Sequence, residues 1–80
     1  MFKKERISVV AVFDEKGMIR PYRFKMEDDT VCKIDEILKV RRAASTKVGG
    51  VGLRYTCRIG NIIANLFLEE TTWFLEREIL

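Results

Sequence analysis

Apolar and polar side chains alternate along much of this chain, and that period of two limits what the chain can fold into. The clearest case is residues 53–59, where four apolar side chains alternate with three polar ones: Leu53, Arg54, Tyr55, Thr56, Cys57, Arg58 and Ile59. Successive side chains of a β-strand point to opposite faces of a sheet. The segment is therefore predicted to be a strand that turns Tyr55 inward and Arg54 and Arg58 outward.

Three other segments also have the composition of strands. Residues 7–13 are almost wholly apolar, which predicts a central strand that is buried on both faces. Residues 62–68 predict a second well-buried strand, and a final strand begins at Trp73 with Phe74 on its outer face.

Residues 18–26 predict a strand with Tyr22 and Phe24 on one face. Pro21 lacks a backbone N–H, so it belongs at a sheet edge or at a bulge. Glycine and acidic residues, which favour tight turns, separate the strands. The predicted turns are residues 14–17, 27–29, 60–61 and 69–72.

Residues 30–43 fit two patterns. The alternation through Cys32 and Ile34 indicates a strand, whereas Ile34 and Leu38 lie one helical turn apart. We favour a strand with a bulge or bend near residues 35–36, because the flanking segments pair more simply if this segment joins the sheet. The alternative is one helix at about residues 30–43.

The chain has 80 residues, which corresponds to a single small domain spanning residues 1–80. About six short strands joined by tight turns predict an all-β antiparallel meander. Curling such a sheet hides its edges, so we expect a small barrel or roll of SH3-like size. The alternative is an α+β fold in which the helix at about residues 30–43 packs on the sheet.

The composition excludes several kinds of chemistry. The chain contains no His, which removes the commonest general base and the commonest metal ligand. Cys32 and Cys57 do not form a C-x-x-C motif, and we expect both to be small, buried, reduced side chains. We therefore predict no catalytic residue, no metal site and no cofactor.

The first residues do not have the pattern of a secretory signal. The segment Met1–Arg6 is charged, and the apolar stretch after it is short and lacks a small-residue cleavage site. There is also no apolar run of the roughly 18 residues that a membrane span needs. We expect a cytosolic protein with reduced thiols and no contact with membranes.

Positive charge is concentrated in residues 41–60. This block carries five basic residues and no acidic residue: Arg41, Arg42, Lys47, Arg54 and Arg58. Alternate side chains on one strand face stand about 6.5–7 Å apart, so this block is a candidate surface for phosphate or another anion. Lys47 lies in a glycine-rich loop at residues 43–52, which we interpret as a flexible connection because a strand follows it.

A set of short motifs runs through most of the chain. An apolar first strand precedes Ile19-Arg20-Pro21, Lys33-Ile34-Asp35, Val40-Arg41-Arg42-Ala43-Ala44, Gly49-Gly50, Arg54-Tyr55-Thr56-Cys57-Arg58-Ile59 and Trp73-Phe74-Leu75-Glu76. In these motifs, residues 19–76 resemble a family of short bacterial proteins whose function is uncharacterised. The chain departs from the family's pattern at Val31 and Cys32, where an aromatic residue is expected. The resemblance implies a small β-barrel-like domain and supplies no catalytic or binding residue.

Two functions fit these observations. The first is a non-enzymatic binding or adaptor module that contacts a protein partner or a second copy of itself through a sheet edge or an apolar face. The alternative is a nucleic-acid-binding barrel that uses the five basic residues of block 41–60. Tyr55 has inward parity, so Phe74 is the main aromatic residue expected beside the basic strand face.

Overall fold

The computed structural model describes residues 2–44 and 51–78, which form strands and turns. The seven strands are β1 (Phe2–Phe13), β2 (Ile19–Lys25), β3 (Val31–Lys33), β4 (Glu36–Ala44), β5 (Val51–Ile59), β6 (Ile62–Glu69) and β7 (Thr72–Glu78). All neighbouring strands are antiparallel, and the sheet curls into a half-barrel. The all-β prediction is confirmed. The alternative with a helix at about residues 30–43 is wrong.

The strand order is β3-β2-β1-β7-β6-β5-β4, so the meander joins its first and last strands and opens between β3 and β4. Only Ile34 and Asp35 separate these two strands along the chain. The Ile34 N–H donates to the Tyr22 carbonyl (2.8 Å), and the Asp35 N–H donates to the Arg58 carbonyl (3.0 Å). The bend expected near residues 35–36 is confirmed, and it divides one predicted strand into two.

Strand β1 belongs to both halves of the curled sheet. Its residues 2–7 pair with β7, and its residues 8–13 pair with β2. The five-strand half consists of residues 2–7, β7, β6, β5 and β4, and the three-strand half consists of residues 8–13, β2 and β3. This sharing lets a sheet built mainly of short strands enclose one interior.

The interior holds alternate side chains from both halves. Its buried residues are Ile7, Phe24, Ile34, Tyr55, Cys57, Leu66, Leu68 and Leu75. The Tyr55 hydroxyl donates to the carbonyl of Ile19 in β2 (2.7 Å), which links the two halves directly. The Tyr55 ring also contacts Trp73, with 5.3 Å between ring centroids. The predicted inward orientation of Tyr55 and Cys57 is confirmed.

Two segments are less buried than predicted. In β1, Val10 and Val12 lie on the outer face with 50% and 42% of their surface exposed, so the strand is not buried on both faces. In β6, Ile62 and Ile63 are 62% and 58% exposed beside the tight turn that precedes them. The reason is that a single curled sheet encloses one interior, and no second layer covers its outer face.

A bulge at Tyr22 changes the predicted orientation of side chains in β2. Val10 pairs with Arg23 and Ala11 pairs with Pro21, which leaves Tyr22 without a directly opposite residue. Pro21 and Phe24 are buried, whereas Tyr22 is exposed. The position of Pro21 at a bulge is confirmed, but the prediction that Tyr22 and Phe24 share a face is wrong, because the extra residue reverses the alternation.

The turns have the expected chemistry. The Asp14 carboxylate accepts hydrogen bonds from the N–H groups of Lys16 (2.8 Å) and Met18 (2.9 Å), and Gly17 has a φ of 80°. The glycine-rich loop is shorter than predicted, because β4 continues to Ala44 and β5 begins at Val51. The part of that loop at residues 45–50 lies outside the described residues.

Substitution of Gly52 should destabilise the fold through a close backbone contact. Gly52 is buried, and a Cβ atom there would lie 2.7 Å from the Leu68 carbonyl oxygen. We expect Gly52→Ala to cost roughly 1–3 kcal/mol of unfolding free energy, as overpacking does, measured by urea denaturation. Gly17→Asn is the matched control, since its site is open and Asn tolerates a positive φ. Equal losses in the two variants would contradict this explanation.

Alkaline pH should weaken the core through Cys57. Burial raises the pKa of this thiol from its ordinary value of 9.0 to about 11. The stability that comes from keeping the thiol neutral is fully present below pH 9 and is lost as the pH rises through about 11. Cys57→Ala should be less stable at neutral pH because it leaves a cavity, but its stability should fall less steeply over the alkaline window. If the urea midpoints of the unsubstituted protein and of Cys57→Ala declined in parallel over this pH range, the assignment of the alkaline loss of stability to Cys57 would be contradicted.

Candidate functional site

Two arginines face each other on the outer side of the five-strand half. Arg41 in β4 is directly opposite Arg54 in β5, and Arg54 alternates with the buried Tyr55. Like charges directly opposite one another destabilise a sheet. Among the side chains that the structure describes, no carboxylate forms an ion pair with either arginine. The pair therefore presents two adjacent guanidinium groups to which an external anion could bind.

Arg58 lies on the same face but already has partners. Its Nε donates to the Glu36 carboxylate (3.5 Å), its Nη1 lies 4.0 Å from the Asp35 carboxylate, and Nη1 also donates to the Gly60 carbonyl (3.3 Å). The Asp35 carboxylate in turn accepts the Gly60 N–H (2.7 Å). Arg58 thus holds the bend before β4 against the β5–β6 turn, which is a structural role.

The other two predicted residues do not join the pair. Arg42 is opposite Leu53, so it lies on the face of β4 opposite to that of Arg41, near the open side of the half-barrel. Lys47 lies outside the described residues. Of the five basic residues predicted from the sequence, the structure brings together Arg41 and Arg54.

Two phenylalanines continue the row that begins with these arginines. Arg54 is opposite Phe67, Phe67 is opposite Phe74, and Phe74 is opposite Arg6. We call these five residues, Arg41, Arg54, Phe67, Phe74 and Arg6, the outer row. An aromatic pair with guanidinium groups on both sides combines the two features that bind single-stranded nucleic acid: stacking surface and positive charge.

Lys4 covers part of the aromatic pair. Its Nζ lies 4.5 Å from the ring centroid of Phe67 and 5.9 Å from that of Phe74, while a salt bridge to Glu69 (2.7 Å) holds it in place. Phe67 is consequently only 8% exposed, although it lies outside the main core. Phe74 is half-buried, so its ring is the more accessible of the two.

The neighbouring row of the same face is polar and internally bonded. The Thr56 hydroxyl donates to the Asn65 side-chain carbonyl (2.8 Å), and the Asn65 amide donates to the Glu76 carboxylate (3.3 Å). Glu76 closes this polar row and is directly opposite Lys4 in β1. The polar row links β5, β6 and β7 beside the outer row.

The sequence predicted Phe74 on the outer face but missed Phe67. The apolar run through residues 62–68 suggested burial on both faces, which hides the parity of any single residue. Asn65 provides the missing signal, since a polar residue two positions earlier indicates that Phe67 also faces outward.

The described residues offer little for metal or thiol chemistry. Among residues 2–44 and 51–78, no group of three or more Cys, Asp or Glu side chains is arranged to hold a metal ion. Cys32 is half-buried and Cys57 is buried, and both thiols are free. In the same part of the chain, the structure contains no helix of the length and apolarity needed to cross a membrane.

No protein family, curated protein or solved structure matches the chain. The resemblance of residues 19–76 to a family of short bacterial proteins therefore remains an interpretation of the sequence motifs. The function has to be inferred from the geometry of the outer row and of the remaining surfaces.

Reversing one charge of the arginine pair should stabilise the isolated protein. Arg41→Glu places a carboxylate directly opposite Arg54, and we expect a gain on the order of 0.5 kcal/mol at low ionic strength, shrinking as salt is added. Urea midpoints at low and high salt measure this. Arg42→Glu is the control, because its neighbour across the strands is Leu53. A loss of stability in Arg41→Glu, or an equal gain in Arg42→Glu, would show that repulsion between Arg41 and Arg54 does not destabilise the sheet.

Proposed function

We propose that this protein is a non-enzymatic binding module that holds single-stranded nucleic acid on the outer row. The observation that carries the proposal is the arrangement of Arg54, Phe67, Phe74 and Arg6 on four adjacent strands. A guanidinium group binds phosphate through two parallel hydrogen bonds. The Arg41–Arg54 pair, which has no ion pair among the described side chains, gains most from such a contact.

The aromatic pair supplies the second part of the interaction. A nucleobase stacked on a phenylalanine ring contributes about 1–3 kcal/mol with little sequence preference. The half-buried ring of Phe74 is accessible to a base without rearrangement. The ring of Phe67 becomes accessible when Lys4 moves aside to contact a phosphate. Lys4 then exchanges its contact with Glu69 for one with the ligand, which keeps the lysine paired in both states.

The dimensions favour a single strand over a duplex. Neighbouring strands lie about 4.8 Å apart, so Arg54 and Arg6 are separated by about 14 Å along the sheet, with both rings between them. Only unpaired bases can turn their faces toward these rings, because the bases of a duplex are stacked inside the helix. We propose that the ligand crosses the strands, with its phosphates on the arginines and its bases on the phenylalanines.

Self-association through the sheet edge is the weaker candidate. The edge of β4 carries Lys39, Arg41 and Arg42, and a register shift occurs at Leu38. Basic side chains and bulges are the devices by which proteins prevent edge pairing. A second copy would bring the same three cations against these, so we do not assign a homodimer to this edge. We infer that the module works in a reducing compartment such as the cytosol, because Cys32 and Cys57 are free thiols.

A binding titration with matched arginine variants tests the proposal. We expect the purified chain to bind a fluorescein-labelled oligothymidine strand, measured by fluorescence anisotropy, more tightly than the corresponding duplex. Phe74→Ala should weaken binding by roughly tenfold or more, the equivalent of one lost stack. Arg54→Gln should weaken it and reduce the slope of log affinity against log salt by about 0.7, as expected for one phosphate contact.

Arg58→Gln is the matched control, since Arg58 lies on the same strand face but is paired with Asp35 and Glu36. It should lower stability while leaving affinity for the oligonucleotide nearly unchanged. Absence of binding at low salt would refute the proposed function. Equal losses in Arg54→Gln and Arg58→Gln would show that binding follows net charge and not the outer row.

A further inference from the structure

The outer face of the three-strand half carries a second surface with a different character. Val10 in β1 and Val31 in β3 are 50% and 62% exposed. Between them runs a shallow groove of about 310 Å³, whose lining also includes Arg23, Phe24 and Lys25. Exposed aliphatic side chains grouped around a groove and rimmed by charge are typical of a contact with another protein.

The charged side chains that line this groove, Arg23 and Lys25, are basic. Val10 is opposite Arg23, and Arg23 is opposite Lys33, so two cations sit side by side on neighbouring strands. Among the side chains that the structure describes, no carboxylate forms an ion pair with Arg23 or Lys33. Lys25 reaches Asp29 at 3.8 Å, with both groups largely in solvent.

We propose that this groove binds an extended segment of another protein in which an aliphatic and an acidic residue stand two positions apart, so that both side chains face the groove. The aliphatic side chains of the segment would cover Val10 and Val31, and its carboxylates would pair with Arg23 and Lys33. In an extended chain, side chains two positions apart point the same way about 6.5–7 Å apart. This matches Val31 and Lys33, an apolar and a cationic residue two positions apart in β3. This site is separate from the outer row and does not depend on the proposed function.

Charge and chemistry distinguish this occupant from the alternatives. A second copy of the same face would oppose Arg23 and Lys33 with identical cations. Nucleic acid also fits poorly, because the groove presents valines in place of a stacking ring. The exposed Tyr22 lies on a different groove, together with the carboxylates of Asp35 and Glu36, which would repel phosphate.

Peptide titration of the full chain, followed by amide NMR shifts, tests the inference. The probe is a short synthetic peptide of the repeat Val-Ser-Glu-Ser, and the control peptide carries Lys in place of each Glu. We expect the acidic peptide to shift the amides of Val10, Arg23 and Val31, and the basic peptide to leave them unchanged. The double variant Arg23→Gln with Lys33→Gln should weaken binding of the acidic peptide by about tenfold.

Arg54→Gln serves as the matched variant, since it removes a cation from the outer row and leaves the groove intact. It should not alter binding of the acidic peptide, whereas the double variant should not alter binding of oligothymidine. Failure of the acidic peptide to shift the groove amides would overturn the inference. The inference would also be overturned if the basic peptide shifted the groove amides equally, or if the acidic peptide shifted only amides of the outer row. A third contrary result would be a titration in which oligothymidine, and not the acidic peptide, shifts the groove amides.

Discussion

One hydrogen bond crosses the interior of the half-barrel and joins the two halves that carry the outer surfaces. The Tyr55 hydroxyl in β5 donates to the Ile19 carbonyl in β2, two strands that do not pair with each other. The bond is partly buried and Tyr55 itself is 1% exposed, so loss of either group leaves a partner that water satisfies poorly. The bond thereby holds β2 of the three-strand half against β5 of the five-strand half, and the two outer surfaces lie on these halves.

Much of the fold follows from the period-two pattern, since one residue of known parity orients its whole strand. Because Tyr55 points inward, its neighbour Arg54 must point outward. Cross-strand pairing then places Phe67 on the same face as Arg54. The pattern fails where backbone geometry intervenes. The bulge at Tyr22 reverses the alternation in β2, and a bulge is set by its partner strand and not by local composition.

The candidate site was predictable only in part, for a similar reason. A count of basic residues in block 41–60 identified Arg41 and Arg54 but could not separate them from Arg58. That separation depends on Asp35 and Glu36, which are distant from Arg58 in sequence. Glu36 reaches Arg58 because it is its direct partner in the pairing of β4 with β5, and Asp35 reaches it because of the bend after Ile34. Arg6 was missed because its place in the outer row depends on the pairing of β1 with β7, and Phe67 was missed because the apolar run around it hid its parity.

Both outer faces carry a pair of directly opposed cations, and the recurrence of this arrangement argues that it is not accidental. Each half places two cations directly opposite one another, Arg41 with Arg54 and Arg23 with Lys33, although a chain with twelve acidic residues had counter-charges available. The same chain does supply carboxylates where they serve the fold, at Arg58 and Lys4. A small domain has little stability to lose, so repulsion retained at two places is best explained by anionic ligands that relieve it. Under the two proposals, the aromatic residues of one face and the valines of the other would determine which anion each face accepts.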